Sequence, residues 1–259
     1  MTEIITIANQ KGGVGKTTTA INLSASLAVA GKRVLLIDVD PQANATTGLG
    51  FSRNEYEFNI YHVLTGGKNL SDIILETEIE TLFLAPSNIG LVGIEQEFAN
   101  KNEDFKLILK NKLKEVEKEY DYIIIDSPPT LGSITVNALS ASDSVIIPIQ
   151  CEFYALEGLA LILNTIKIIK KTVNPKLTIK GFLPTMYSGQ NNLSKETVLN
   201  LKQHFEDKLF KSENEHGFVV IPRNVRLAES PSFGKPAILY DSKSIGSVAY
   251  QSLADCIME

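Results

Sequence analysis

Cysteine is scarce in this 259-residue chain: only Cys151 and Cys256 occur, 105 positions apart. That spacing makes neither a metal-ligand pattern nor a disulfide framework, and it suggests a reducing, cytosolic setting. No apolar run approaches the roughly 18 residues that would cross a bilayer. The opening stretch MTEIITIANQ has an acid at position 3 and no basic segment, so it does not read as a secretory leader. No internal repeat, low-complexity block or Pro/Gly/Ser-rich linker divides the chain, which predicts a single domain over residues 1–259. Basic residues are in the minority, 25 against 30 acidic ones, a formal net charge of −5 that argues at first sight against a nucleic-acid partner. The total hides an asymmetry. Residues 1–160 carry 12 basic and 21 acidic side chains, whereas residues 161–259 carry 13 and 9.

Apolar runs of strand length alternate with helical stretches. Strands are expected at Ile4–Ala8, Val34–Asp38, Leu82–Ala85, Tyr122–Asp126, Val145–Ile149, Thr178–Pro184 and Phe218–Ile221. Runs such as VLLID and YIIID mark strands buried on both faces of a parallel sheet. Helices are expected at Thr17–Ala30, Phe105–Tyr120, Ser133–Ser140, Leu156–Lys171, Ser194–Leu209 and Ser244–Met258, with short helices at the sheet edge within residues 52–80. The predicted fold is α/β: a mostly parallel, twisted sheet with helices on both faces. Leu107, Leu109, Leu113 and Val116 would line the inner face of the 105–120 helix.

The informative stretch is ANQKGGVGKTTT at residues 8–19. It comes after an apolar strand and opens a helix, the context that a phosphate-binding loop requires. The strict G-x-x-x-x-G-K-[ST] pattern fails at one place, because Gln10 occupies the first glycine position. Gly12, Gly13 and Gly15 allow a tight turn that aims N–H groups at phosphate oxygens. Lys16 is placed to reach the β- and γ-phosphates, and Thr17 to offer its hydroxyl to Mg²⁺. Asp38 and Asp40 stand at the end of the second strand, and Asp126 ends YDYIIID where a metal-holding acid should stand. Ligands of such sheets bind at that edge.

Together these residues resemble the deviant Walker A ATPases of P-loop NTPase fold and, within them, the ParA/Soj partition family. The matching blocks are KGGVGKTT at 11–18, LLIDVDPQANAT at 35–46, YIIIDSPPTLG at 122–132, VIIPIQCEFYALEGL at 145–159 and IPRNVRLAESPSFGKP at 221–236. The resemblance implies a weak ATPase with ATP and Mg²⁺ as cofactors, stimulated by its partner and by DNA. It implies that Lys11 reaches across a homodimer to the partner's nucleotide, and that Asp40 orients the attacking water. It also implies that Val14 and Thr18 complete the loop, and that Thr17, Asp38 and Asp126 form the metal shell. Gly12 would face the second subunit, where a β-carbon should obstruct pairing. Met186, Pro222 and Asn224 are candidates for the adenine pocket.

By the same resemblance, the ATP-bound dimer would bind double-stranded DNA without sequence preference and work with a ParB-like partner. Its location would be cytoplasmic and nucleoid-associated. Candidate DNA contacts are Lys195, Lys202, Arg223, Arg226 and Lys235, and KIIKKTVNPKLTIK at 167–180 adds five lysines. Three relatives in the superfamily offer competing expectations. A MinD-type membrane ATPase would end in a basic amphipathic helix, but no Lys or Arg lies beyond Lys243. A nitrogenase-type iron protein would need cysteines in the segment after Asp126. ParA-like proteins that position other cargo share the chemistry. The loop begins at residue 11, so no helix-turn-helix operator reader is expected ahead of it.

Overall fold

The computed structural model describes residues 2–99, 105–152, 157–214 and 216–259. Among them seven strands form one sheet: β1 Glu3–Ile7, β2 Val34–Asp38, β3 Leu75–Glu76, β4 Leu82–Ala85, β5 Tyr122–Asp126, β6 Ser144–Gln150 and β7 Thr178–Thr185. Their order is β3-β4-β2-β5-β1-β6-β7, and every pair is parallel except β3 with β4. The two-residue β3, which the sequence does not suggest, caps the edge of β4.

Alternation along the strands explains the continuous apolar runs. Ile123 and Ile125 enter one core with Leu35, Ile37, Leu109 and Leu113, while Ile124 enters another with Leu36, Leu23 and Leu253. Each fully buried Leu or Ile contributes about 1.5–3 kcal/mol of transfer free energy. The helix Lys16–Val29 lies under the sheet with the final helix Ile245–Met258 against it. Beyond its C-terminus Gly31 turns left-handed at φ +85°, and Lys32 N–H donates to the Leu27 carbonyl, which stops the helix in a Schellman-like turn.

Two expectations are corrected. Residues 105–120 do not form one helix: a 3₁₀ turn Phe105–Leu107 precedes Ile108–Leu113, and Glu117–Glu119 is again 3₁₀. Val116 leaves the helical basin at φ −127° and ψ −11°, letting the chain drop into β5 within six residues. Of the expected inner face, Leu109, Leu113 and Val116 are all buried, but Leu107 stays half-exposed. Phe218–Ile221 is likewise no strand of the sheet. Its backbone bonds are scattered: Val219 N–H donates to the Phe210 carbonyl, Ile221 N–H to the Pro184 carbonyl, and the Ile221 carbonyl accepts from Tyr187 N–H. Near Phe182 the edge of β7 is taken instead by Leu209, which bridges it, while Phe210 bonds to Val219. Residue 156, the expected start of the fourth helix, lies outside the described residues; the helix is described from Glu157 to Thr172.

Candidate nucleotide site

Strand register brings the acids level. Ile7 and Asp38 both pair with Asp126, so the ends of β1, β2 and β5 share one edge of the sheet. The loop leaving β1 rises from that edge. Gly15, at φ +89°, is the N-cap of the Lys16–Val29 helix and has no side chain to satisfy the first N–H groups. Those donors, with the positive end of the helix dipole, are the fixed part of an anion site. Gly13 also needs its positive φ, +72°.

Neighbouring strands brace the loop. Asn9 donates through Nδ2 to the Pro148 carbonyl at 2.7 Å, and its Oδ1 accepts from Lys11 N–H at 3.1 Å. Thr185 at the end of β7 donates its hydroxyl to the Val14 carbonyl at 2.9 Å. Lys16 is buried, and its ammonium donates to the Lys11 carbonyl at 3.0 Å. Burial lowers the Lys16 pKa, while the charges of Asp126 and Asp40 partly restore it. The Lys11 ammonium has no partner among the described residues.

The acids divide by environment. Asp38 is fully buried and bonded at both oxygens: Oδ1 accepts from Asp40 N–H, and Oδ2 from both the N–H and the hydroxyl of Thr46. Burial still pushes its carboxyl up to about 6. Asp126 is equally buried, yet neither carboxylate oxygen has a hydrogen-bond partner among the described residues. Burial first, and the Asp38 charge second, raise its pKa well above the carboxylate range; the nearby Thr17 hydroxyl and Lys16 offset only part of that rise. A buried carboxylate without donors lacks its complement, and a divalent cation with its water shell would supply one. Asp126 and the Thr17 hydroxyl therefore fit Mg²⁺, with Asp38 bonded beside them. Asp40 accepts from Gln42 N–H at 2.9 Å and is nearly buried.

Met186, Pro222 and Asn224 meet in a cleft of about 170 Å³ lined also by Gly15, Thr18 and Tyr250. It opens directly beside the phosphate loop and suits a flat base. Met186 sits there at φ +53°, and Asn224 uses Oδ1 to cap the Val225–Glu229 helix, leaving its amide NH₂ for a ligand. The candidate DNA residues are not gathered into a free cluster. Arg223 faces Glu152 at 3.6 Å, Arg226 faces Glu229 at 2.9 Å and Asp241 at 3.4 Å, and Lys235 faces Glu78 at 2.8 Å. Lys195 and Lys202 stand on the Asn192–Phe205 helix. Cys151 is buried with its thiol pushed up to about 12, which disfavours the thiolate that a cluster ligand must be.

Sequence reasoning missed the residues that hold the site. Thr185, Ser87 and Tyr250 lie far along the chain from the loop, and no spacing connects them. Tyr250 is fully buried and shares a 3.0 Å hydrogen bond with Thr19.

Residues 2–179 match the family described as AAA domain. The sporulation initiation inhibitor protein Soj of Bacillus subtilis is 50% identical over 254 residues, covering 98% of this chain and 97% of Soj. The chromosome partitioning protein ParA of Myxococcus xanthus is 47% identical, covering 99% of this chain and 88% of that protein. Among solved structures, a Mycobacterium smegmatis protein described as cobyrinic acid a,c-diamide synthase, with bound ADP and magnesium, superposes with a TM-score of 0.84 at 34% identity, covering 100% of this chain and 94% of that one. A second crystal of it holds an ATP analogue and magnesium. No helix of the described residues is long and apolar enough to cross a membrane. With a braced phosphate loop, a donor-starved acid suited to Mg²⁺ and near full-length identity to partition proteins, the chain belongs to the ParA/Soj family of partition ATPases, hydrolysing ATP with Mg²⁺ as cofactor.

Proposed function

We propose that the ATPase is a dimerisation switch for DNA segregation: two ATP-bound subunits pair face to face, bind double-stranded DNA without sequence preference, and separate after hydrolysis. The observation that carries this reading is the pair of lysines in one loop. Lys16 is buried and tied inward, whereas the Lys11 ammonium has no partner among the described residues. The developing charge of phosphoryl transfer calls for more than one cation, and an unpaired lysine in the loop is available to a neighbouring subunit's triphosphate. Gly12 supports the same reading. It is exposed, and a Cβ there would meet nothing nearer than the Pro129 Cβ at 4.0 Å. A Gly12→Ala subunit should therefore fold normally, and any defect it shows should lie between subunits.

In the reaction, Asp40 would orient the attacking water, Lys16 and the loop N–H groups would hold the phosphates, and Asp126 with Thr17 would hold Mg²⁺, which would supply charge neutralisation for phosphoryl transfer. The DNA surface would draw on Lys195, Lys202, Arg223, Arg226 and Lys235. Exposed ion pairs contribute little stability, so a DNA phosphate can replace Glu152, Glu229 or Glu78 as partner at small cost. A ParB-like protein bound at centromere sites would stimulate hydrolysis and end the cycle, and the protein would then lie on the nucleoid.

The test is DNA binding measured with ATP, with ADP and without nucleotide across a salt series, alongside sedimentation of Asp40→Ala. Firm, salt-sensitive binding with ATP alone, and a dimer of the variant under saturating ATP, are expected. A monomer under those conditions would exclude the paired switch. Binding to liposomes in place of DNA would move the protein to the membrane branch of its superfamily.

A further inference from the structure

The loop after β2 is held by a buried hydrogen-bond network that joins the end of β2, the short helix Asn44–Gly48 and the segment just beyond β4. Asp38 Oδ1 accepts from Asp40 N–H at 3.0 Å, and Asp38 Oδ2 from the Thr46 hydroxyl at 2.8 Å. The Thr46 hydroxyl oxygen in turn accepts from Ser87 N–H at 3.0 Å, and the Ser87 hydroxyl donates to the Asp40 carbonyl at 2.6 Å. Asp38, Thr46 and Ser87 are all fully buried. The circuit closes on itself: Asp38 holds the Asp40 N–H, Ser87 together with Ala43 N–H holds the Asp40 carbonyl, and Thr46 ties Asp38 to Ser87. Ala43, at φ +55°, takes the strained conformation that lets the loop bend back to make it.

We propose that Thr46 and Ser87 are positioning residues that set the place of the Asp40 carboxylate for the attack on the γ-phosphate. The inference rests on the reading that Asp40 orients the water. Neither residue lines the loop or the base cleft, so neither is needed to bind ATP. A carboxylate that must hold a water in line tolerates little displacement, and a shift near 1 Å loses about 100-fold in rate. Within the circuit the Thr46 hydroxyl is the link from Asp38 to Ser87; valine keeps its shape but neither donates nor accepts.

The test compares kcat with ATP affinity, the latter from displacement of a fluorescent ATP analogue, in Thr46→Val, Thr46→Ser, Ser87→Ala and Asp40→Ala. Thr46→Val should lower kcat about 10- to 100-fold with affinity within about threefold, and Thr46→Ser should restore kcat. Ser87→Ala, which leaves the Ala43 N–H on the Asp40 carbonyl, should lower kcat by a smaller factor. Adding Thr46→Val to Asp40→Ala should lower the rate no further. Wild-type kcat in Thr46→Val and Ser87→Ala, or affinity falling in step with kcat, overturns the inference. Wild-type kcat in Asp40→Ala overturns instead the reading of Asp40 itself.

Discussion

Asp38 and Asp126 are register partners on adjacent strands, equally buried and ending two nearly identical apolar runs, yet one is saturated with donors and the other has none among the described residues. The difference separates a carboxylate tied into its own loop from one whose oxygens would be open to a ligand. Asp38 holds its own loop in place through three hydrogen bonds. Asp126 has no hydrogen bond to offset its burial, so its charged form is disfavoured, and a bound cation would relieve that penalty. Position at a strand end does not distinguish them; the segment beyond each strand does. After β2 the chain turns back and supplies Thr46, whereas after β5 Ser127 donates its hydroxyl to the Ile7 carbonyl.

The sharpest way to break the comparison is Asp126→Asn, which should reduce hydrolysis by about 100-fold or more in a steady-state phosphate-release assay. The same change should raise the melting temperature of the nucleotide-free protein near neutral pH, because a neutral amide replaces a charge that burial penalises. A variant that melts lower while still hydrolysing ATP would remove the contrast. Next in size is ligand stabilisation. With Mg²⁺ and ATP at about 100 times Kd the wild type should gain about 2.7 kcal/mol, and in Asp126→Asn the magnesium-dependent part of that gain should vanish in a thermal-shift titration. Asp38→Asn should act oppositely on the empty protein. Its NH₂ would confront donors already pointing at it, costing about 1–3 kcal/mol in urea denaturation. A neutral result would mean that the three hydrogen bonds do not hold the loop.

The smallest effect is the pH dependence. Both carboxyls bind their proton more tightly folded than unfolded, so their contribution to stability is present at low pH and lost as pH rises through the folded values, about 6 for Asp38 and higher than the usual range for Asp126. The stability gap between Asp126→Asn and the wild type should therefore widen with rising pH above about 4, by no more than about 1.4 kcal/mol per pH unit. Urea midpoints across pH 4 to 8 measure it, and a constant gap would mean Asp126 is not perturbed.

The phosphate loop, the three strand-end acids and the parallel, doubly buried character of β1, β2 and β5 were legible because each depends on a short contiguous run, whereas the strand order was not. ANQKGGVGKTTT carries its turn glycines and its helix start together, and YIIID shows burial on both faces. Met186, Pro222 and Asn224, candidates from the family resemblance, line one cleft, although Met186 lies outside every matching block. What escaped depends on pairs distant in sequence: Ser87 reaching Asp40, Thr185 reaching Val14, Tyr250 reaching Thr19. The FVVI run misleads because apolarity reports burial and not pairing; Leu209, from the preceding segment, bridges the edge of β7 at Phe182. The basic residues were legible as charges but not as ion pairs, since Glu78 and Glu152 come from elsewhere in the fold.

The tie from the Lys16 ammonium to the Lys11 carbonyl also bears on entropy. Fixing a lysine side chain costs about 1.5–2 kcal/mol of rotamer freedom. Here the loop's own backbone holds the ammonium within the fold, so a phosphate meeting Lys16 would meet a side chain already in place and would not bear that ordering cost.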